Sequence, residues 1–163
     1  MIPGEHRLTH VDDTGAARMV DVSAKDVFVR TASARGRVTM AADALDLLRA
    51  GALPKGDALA VARVAGIMAA KRTPDLVPLC HPIALHGVFV DLKVGADAVH
   101  ITANVRTADR TGVEMEALTC VAVAGLTLID MVKAVDPAAA IRDVRVVEKA
   151  GGRSGRWSRD SSQ

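Results

Sequence analysis

The sequence predicts a single α+β domain in which an antiparallel sheet carries helices packed on one face. Two stretches near the middle of the chain alternate apolar and polar residues across a short turn, which is typical of a β-hairpin. A long stretch that follows them is apolar almost all round, which indicates a buried helix. With 163 residues, 50% of them hydrophobic, the whole chain (1–163) suits one domain with one core.

The first predicted strand is Val27–Met40, which mixes β-branched and polar residues after a polar, irregular stretch at 1–26. Gly36 is a candidate break in this strand, because glycine weakens a strand interior. Thr39 is the expected cap of a short leucine-rich helix that ends at Gly51.

A second helix, rich in small residues, is predicted after the turn Leu53–Asp57, with Asp57 as its cap. Pro74 is expected to stop this helix. The segment Lys71–Pro82 holds three prolines at intervals of four. Because proline fixes φ and lacks an N–H, we expect a stiff loop there, with neither helix nor central strand.

The second half of the chain predicts a hairpin, a long helix and a last strand. The hairpin strands are His86–Val94 and Val99–Thr107, the helix is Gly112–Val135, and the strand is Ala140–Lys149. With the first half, the order is β-α-β-β-α-β with the first helical element split in two, which is the ferredoxin-like arrangement. The two ends are expected to be flexible: 1–18 and 151–163.

The composition disfavours several classes of protein. A net charge of +2 suits a small phosphate-bearing ligand at least as well as nucleic acid. Aromatic residues make up only 2%, so platforms for base stacking are scarce. Two cysteines are too few for a small disulfide-stapled secreted domain, and neither a secretory signal nor a bilayer-length apolar stretch is visible. We therefore expect a cytoplasmic protein with no membrane or nucleic-acid partner.

Cys80 and His81 lie side by side on the stiff loop. A zinc site is disfavoured, since the sequence has no CxxC or HExxH pattern and no evident third ligand. His6 and His10 have helical spacing but no evident carboxylate partner, and they are expected to be solvated. The ordinary alternatives are a buried small thiol for Cys80 and a hydrogen bond to the backbone for His81.

Four charged residues interrupt the long apolar helix: Glu114, Glu116, Asp130 and Lys133. Asp130 and Lys133 share a face, and apolar neighbours are expected to crowd both. They are either a surface ion pair or a proton-transfer pair. Lys55, in the turn before the second helix, is either solvated or part of an anion site. These residues predict a site for an anionic ligand, without specifying a reaction.

Four stretches resemble, in order over nearly the whole chain, the cyclic pyranopterin monophosphate synthase family (molybdenum cofactor biosynthesis protein C). They are "MVDVSAKD" (Met19–Asp26), "KGDALAVARVAGIMAAKRTPDLVPLCHP" (Lys55–Pro82), "TGVEMEALTCVAVAGLTLIDMVKAV" (Thr111–Val135) and "KAGGRSG" (Lys149–Gly155). The resemblance implies a ferredoxin-like fold and a homohexamer, a trimer of dimers with sites at the dimer interface. It implies a lyase that converts 3′,8-cyclo-7,8-dihydro-GTP into cyclic pyranopterin monophosphate and releases pyrophosphate. No cofactor is implied for the protein itself, and Mg²⁺ is an option with the substrate phosphates.

The resemblance also assigns roles to residues. It assigns catalysis to Asp130, Lys133 and Lys55. It assigns substrate contacts to Leu79, Cys80, His81, Met115 and Glu116, with Glu114, Lys71, Lys149 and Arg153 as further candidates. It assigns no residue to a metal. The chain departs from the family pattern at Ile129, where an aromatic residue is common, and at Arg153, where lysine is common; arginine can still bind a triphosphate.

Helix geometry predicts that such a site is shared between two chains. Glu116 and Asp130 are fourteen positions apart on one helix, which corresponds to about 21 Å along its axis. A two-fold interface would bring one end of the helix to the other end of its mate. Two alternatives stay open: a non-enzymatic nucleotide- or phosphate-binding module, and a nucleic-acid adaptor that uses the basic tail.

Overall fold

The computed structural model describes residues 9–159. The elements in chain order are β1 (Phe28–Thr39), α1 (Ala42–Ala50), α2 (Ala58–Lys71), α3 (Thr73–Leu76), β2 (Gly87–Val94), β3 (Ala98–Asp109), α4 (Glu114–Val132), β4 (Ala140–Ala150) and β5 (Trp157–Ser158). His6 and the outer parts of the two expected flexible ends, 1–8 and 160–163, lie outside the described residues. Flexibility of the ends stays a prediction.

The sheet has five strands in the order β2-β3-β1-β4-β5, and every neighbouring pair is antiparallel. The first four strands, in the order 2-3-1-4 and interleaved with the helices, give the ferredoxin-like arrangement. The predicted α+β class is therefore confirmed. The predicted hairpin is the pair β2 and β3, with Val94 opposite Val99.

One face of the sheet forms the floor of the core. Ala32, Ala34, Gly36 and Val38 on β1 are buried, and Ser33, Arg35 and Arg37 between them face the other way. Four alternate residues of β3 are buried with them: Val99, Ile101, Ala103 and Val105. α4 packs on this face across β1, β3 and β4, and α2 packs against α4 and β2.

α4 is the central helix of the core, with nine buried residues in nineteen. It is also the one helix in the described range that is long and apolar enough to suit a membrane span. Its apolarity has a different cause here, because the sheet and α2 cover it. Gly66 of α2 allows the two helices to approach closely, since a Cβ there would lie 3.0 Å from the Cys120 carbonyl oxygen.

The prediction that Lys71–Pro82 contains no helix was wrong. α2 ends at Lys71, and a one-turn helix, Thr73–Leu76, follows it with Pro74 in its first turn. Proline is tolerated there because the first N–H groups of a helix have no partner within the helix. The rest of the segment, 77–82, is non-helical as predicted.

β1 runs unbroken through Gly36, so the candidate break is absent. Gly36 instead makes room for α4, since a Cβ there would lie 2.8 Å from Val121 Cγ1. The irregularity falls on the pairing with β4, where the register shifts between Ser33 and Ala34 and again between Arg35 and Arg37. Asp143, in β4 beside the second shift, has φ of 57°, which is uncommon for a residue with a side chain.

The prediction that Thr39 caps α1 was also wrong. Thr39 is the last residue of β1. The N-cap residue of α1 is Ala41, whose side chain makes no capping hydrogen bond. The carboxylate of Asp136 takes this place from a distant loop: Oδ2 accepts from Ala41 N at 2.7 Å, and Oδ1 accepts from Ala138 N at 2.9 Å. The predicted cap of α2 is confirmed, because Asp57 Oδ1 accepts from Ala60 N at 3.0 Å.

The tail carries a strand that the sequence did not predict. Trp157 and Ser158 pair with Lys149 and Glu148 of β4. Arg159 lies over the Trp157 ring at 5.6 Å, a cation–π contact. This part of the tail therefore extends the sheet.

We predict that Asp136→Ala lowers the free energy of unfolding by about 1–2 kcal/mol, because two backbone N–H groups lose their acceptor in a largely buried place. Chemical denaturation monitored by circular dichroism measures this change. Thr39→Val is the control, since its hydroxyl makes only long hydrogen bonds: it donates to the Ala140 carbonyl at 3.3 Å and accepts from Arg142 Nε at 3.3 Å. Equal losses for the two variants would contradict the capping role of Asp136.

Candidate functional site

One group of predicted site residues meets at the carboxyl end of α4. Lys55 Nζ donates to Asp130 Oδ2 at 3.0 Å and to the Asp130 backbone oxygen at 3.0 Å. Lys133 Nζ donates to Asp130 Oδ1 at 2.7 Å. The structure thus brings together the three residues to which the resemblance assigns catalysis, and we call them the Lys-Asp-Lys cluster.

The Lys-Asp-Lys cluster is open to solvent. The side chains of Asp130 and Lys133 are 55% and 58% exposed, so the expected crowding by apolar neighbours was wrong: Leu128 and Met131 face the core instead. Hydrogen bonds from Lys133 and Lys55, and then their charges, hold the pKa of Asp130 below its usual range. Asp130 therefore stays a carboxylate with both its oxygens occupied, and such exposed pairs add little to stability.

The second group lines a cavity of about 570 Å³ at the amino end of α4, which we call the main cavity. Its walls come from four segments: the stretch before β1, the non-helical residues 77–82, which we call the proline-rich loop, the β3–α4 connection, and the first turn of α4. The lining residues are Thr9, His10, Val20, Val22, Lys25, Val77, Leu79, Cys80, His81, Thr111, Gly112, Glu114, Met115 and Glu116. All five residues to which the resemblance assigns substrate contacts are among them.

His81 is fixed by the backbone of the stretch before β1. Its Nε2 lies 2.5 Å from the Val20 carbonyl oxygen. A carbonyl oxygen only accepts, so Nε2 carries a proton and donates it. The hydrogen bond to the backbone that was the ordinary alternative for His81 is therefore present, and the substrate contact that the resemblance assigns to His81 stays a prediction. The ring holds the N-terminal stretch against the proline-rich loop, where Cys80 N donates to the Val77 carbonyl at 3.1 Å.

Glu116 is buried and Cys80 is partly buried in the wall of the main cavity. Glu116 is only 3% exposed, and this burial raises the pKa of its carboxyl group, with the nearby charge of Glu114 acting in the same direction. Partial burial also raises the pKa of the Cys80 thiol, and the negative charge of Glu116 adds to the effect. Cys80 is therefore a neutral thiol at neutral pH and a poor nucleophile. The second cysteine, Cys120, lies beneath α2, and its burial raises the pKa of its thiol to about 12.

A smaller cavity of about 190 Å³ lies beside the main cavity. Four cations line it: Lys25, Arg30, Arg110 and Lys149. Glu114 also lines it and accepts from Lys149 Nζ at 2.9 Å. We call it the cationic cavity. Lys25, Thr111, Gly112 and Glu114 line both cavities, which are therefore adjacent.

Among the described residues, two of the further candidates for substrate contact line neither cavity. Lys71 is exposed at the last position of α2. Arg153 is exposed in the turn between β4 and β5. Sequence reasoning missed Lys25, Arg30 and Arg110, because a single basic residue in a polar stretch carries no pattern of its own.

No group of three or more His, Cys, Asp or Glu side chains in residues 9–159 could hold a metal ion. The expected absence of a protein-bound metal stays a prediction.

The Lys-Asp-Lys cluster and the main cavity lie at opposite ends of α4, about 21 Å apart along the axis. One chain therefore does not bring them together. The outer face of α2, which runs between the same two ends, is apolar and exposed. A shallow open cavity there is lined by Ala60, Val61, Val64, Ala65 and Met68.

A sequence profile described as the MoaC family matches residues 19–152 of the chain. A relative from Streptomyces avermitilis named cyclic pyranopterin monophosphate synthase is 66% identical over 157 residues, which cover 96% of this chain and 92% of the relative. A relative of that name from a Nocardioides species is 63% identical and covers 98% of this chain and 99% of its own length. One from Mycobacterium tuberculosis, named cyclic pyranopterin monophosphate synthase 2, is 61% identical over 93% of this chain and 91% of the relative.

We predict that the Cys80 thiolate forms only above the usual pH range of a free thiol. The ultraviolet absorbance of the thiolate, followed from about pH 7 to pH 11, is expected to show a transition that Cys80→Ser removes. Glu116→Gln should move this transition to lower pH, because it removes a negative charge near the thiol. A thiolate already present at neutral pH would contradict the neutral-thiol assignment.

Proposed function

The chain belongs to the MoaC family, and from this membership we propose that it is a cyclic pyranopterin monophosphate synthase, a lyase of an early step in molybdenum cofactor biosynthesis. Its substrate is 3′,8-cyclo-7,8-dihydro-GTP and its products are cyclic pyranopterin monophosphate and pyrophosphate. The observation that carries the proposal is the Lys-Asp-Lys cluster, in which two ammonium groups converge on one exposed carboxylate. The exposed cluster adds little to the stability of the fold. Its converging charges therefore suit a role in chemistry.

The Lys-Asp-Lys cluster supplies acid–base groups. Asp130 stays charged and holds the ammonium groups of Lys55 and Lys133 within about 3 Å of its own oxygens. Each ammonium can donate a proton to a ring atom or an oxygen of the substrate, and the neutral amine can take one back. Asp130 orients the two lysines and stabilises their charged forms.

The phosphate step needs no oxidant or metal of the protein. A hydroxyl oxygen of the substrate bonds to the α-phosphorus, its proton passes to a base, and the bond to pyrophosphate breaks. The leaving pyrophosphate carries the negative charge that develops, so cations beside it lower the barrier. In this proposal the protein requires no cofactor, and Mg²⁺ enters only with the substrate phosphates. The enzyme works in the cytoplasm on a small molecule, without nucleic acid or membrane.

The substrate binds where two chains meet. α2 spans fourteen residues, about 20 Å, and runs from the Lys-Asp-Lys cluster to the proline-rich loop. Two copies packed antiparallel through Val61, Val64 and Met68 would bury an exposed apolar face. They would also bring the cluster of one chain to the main cavity of the other, at two equivalent places. Three such dimers make the homohexamer that we propose.

We predict that Lys55→Ala, Asp130→Asn and Lys133→Ala each lower turnover by about a hundredfold or more, because each removes either a proton-transfer lysine or the carboxylate that orients both lysines. Purified protein is incubated with 3′,8-cyclo-7,8-dihydro-GTP, and pyrophosphate and the pterin product are measured. Melting temperature and assembly should stay nearly unchanged, since the cluster is exposed.

Asp46→Asn is the matched control. Asp46 forms an exposed ion pair with Arg49 at 2.7 Å and the same spacing of three residues, but it lies on α1, away from both cavities. Its turnover should match that of the wild type. A wild-type protein that returns the substrate unchanged would sink the enzymatic proposal and favour a binding module.

The shared site predicts complementation between two inactive variants. Asp130→Ala chains and Glu116→Ala chains are mixed under conditions of subunit exchange, verified by mass spectrometry of tagged chains. Each mixed dimer then has one intact site, so about a quarter of the wild-type activity should return after random exchange. Verified exchange with no activity would mean that the site is built within one chain.

A further inference from the structure

The face of the sheet that is turned away from the helices carries a row of basic side chains. In order across β2, β3, β1 and β4, residues that lie directly opposite one another are Lys93, His100, Arg37 and Arg142. Two residues before Arg37 on β1, Arg35 lies opposite Arg145 of β4. Directly opposite residues of an antiparallel pair share one face of the sheet. We call four of these residues the arginine patch: Arg35, Arg37, Arg142 and Arg145.

A β-bulge at Asp143 brings Arg142 and Arg145 onto the same face. The two arginines are three positions apart, and residues with that spacing point to opposite faces in a regular strand. The register shift between Arg35 and Arg37 adds one residue to β4, and Asp143 has φ of 57° within this stretch. Bulges re-aim side chains in this way, and a left-handed backbone at a residue with a side chain costs free energy. The strand is therefore strained at the place that aims both arginines to the open face.

The arginine patch holds more positive charge than its neighbours neutralise. Arg37 pairs with Asp143 at 2.7 Å and with Asp97 at 3.8 Å. The other three arginines are exposed, and in the part of the chain that the structure describes they have no carboxylate at ion-pair distance. Arg142 and Arg145 donate only to neutral oxygens. Like charges directly opposite each other destabilise a sheet, so an acidic partner would relieve a repulsion that the fold alone does not remove.

We propose that the arginine patch is a docking surface for an acidic segment of another protein. The inference goes beyond the proposed function, since the patch lines neither the main cavity nor the cationic cavity. Its charges are spread over an open sheet face, whereas a small anion is bound in a concave site. Phe89 lies on the same face, is 67% exposed and borders a groove of about 250 Å³. Arginine and aromatic side chains are enriched at the centres of protein interfaces.

The carboxylates of this face favour an acidic protein segment over a nucleic acid. Asp91 pairs with Lys93 at 3.4 Å, and Asp97 and Asp143 pair with Arg37. The negative charge of a nucleic acid is continuous along its backbone, so a backbone that crossed the patch would meet these carboxylates. A protein segment carries its carboxylates singly and can pair with the arginines that are not neutralised.

Fluorescence anisotropy of a labelled deca-glutamate peptide, titrated with the full chain, tests the docking surface. The double variant Arg35→Gln/Arg145→Gln should weaken binding by about tenfold, because each lost pair on an exposed surface contributes about threefold. Arg72→Gln is the matched control, since Arg72 is an exposed arginine between α2 and α3, away from the open sheet face. Its variant should bind like the wild type. Turnover and assembly of the double variant should match those of the wild type.

A wild-type protein that does not bind the peptide would overturn the docking surface, and so would equal weakening by Arg72→Gln. Lys25→Gln locates the peptide: a loss of binding there, with none in the double variant, would place the peptide in the cationic cavity. Tighter binding of a single-stranded oligonucleotide of matched charge would assign the face to nucleic acid. A smaller assembly of the double variant in size-exclusion chromatography would mean that another copy of this chain covers the face. Each of these three results also overturns the proposal.

Discussion

The antiparallel packing of α2 on α4 is the constraint on which both groups of site residues depend. Gly66 brings α2 against the backbone of α4 at Cys120, and this contact fixes how the ends of the helices align. Because the helices run in opposite directions, the turn before α2 lies beside the last turn of α4, where Lys55 meets Asp130. The loop after α2 lies for the same reason beside the first turn of α4, where Cys80 and Glu116 line one cavity. A single helix pair therefore places Lys55 beside Asp130 at one end and Cys80 beside Glu116 at the other.

The same helix gives two carboxylates opposite electrostatic environments. Asp130 is exposed and bound by two ammonium groups, which keep the pKa low. Glu116 is buried near a neutral thiol. Its burial, together with the charge of Glu114, raises the pKa of its carboxyl group. Carboxylates whose pKa values are pushed apart can serve as different partners for one substrate. In a shared site the two would approach from different chains, so the difference survives assembly.

Local patterns predicted most of the fold. The alternation in 86–107 and the apolar stretch that becomes α4 specified the hairpin and the core helix, and Asp57 specified the start of α2. The errors came from long-range contacts. Thr39 lost the capping role to Asp136, a residue 95 positions beyond the Ala41 amide that it binds. Glycine is needed at position 36 because Val121 approaches closely, and not because the strand breaks there. The family motifs pointed to the Lys-Asp-Lys cluster and the residues of the main cavity, whereas Lys25 and Arg110 become neighbours only through tertiary structure.

Glu116 argues most directly that the amino end of α4 is kept for binding rather than for stability. A buried carboxylate costs free energy unless it is paired, and no ion pair compensates Glu116 within residues 9–159. Its raised pKa means that the folded chain binds this proton more tightly than the unfolded chain does. Stability from this group is therefore full below the unfolded pKa and falls as the pH rises through the folded pKa. At neutral pH an uncharged residue of the same shape would serve the fold better. This loss of stability falls on a residue that belongs to the family motif and lines the main cavity beside the proline-rich loop.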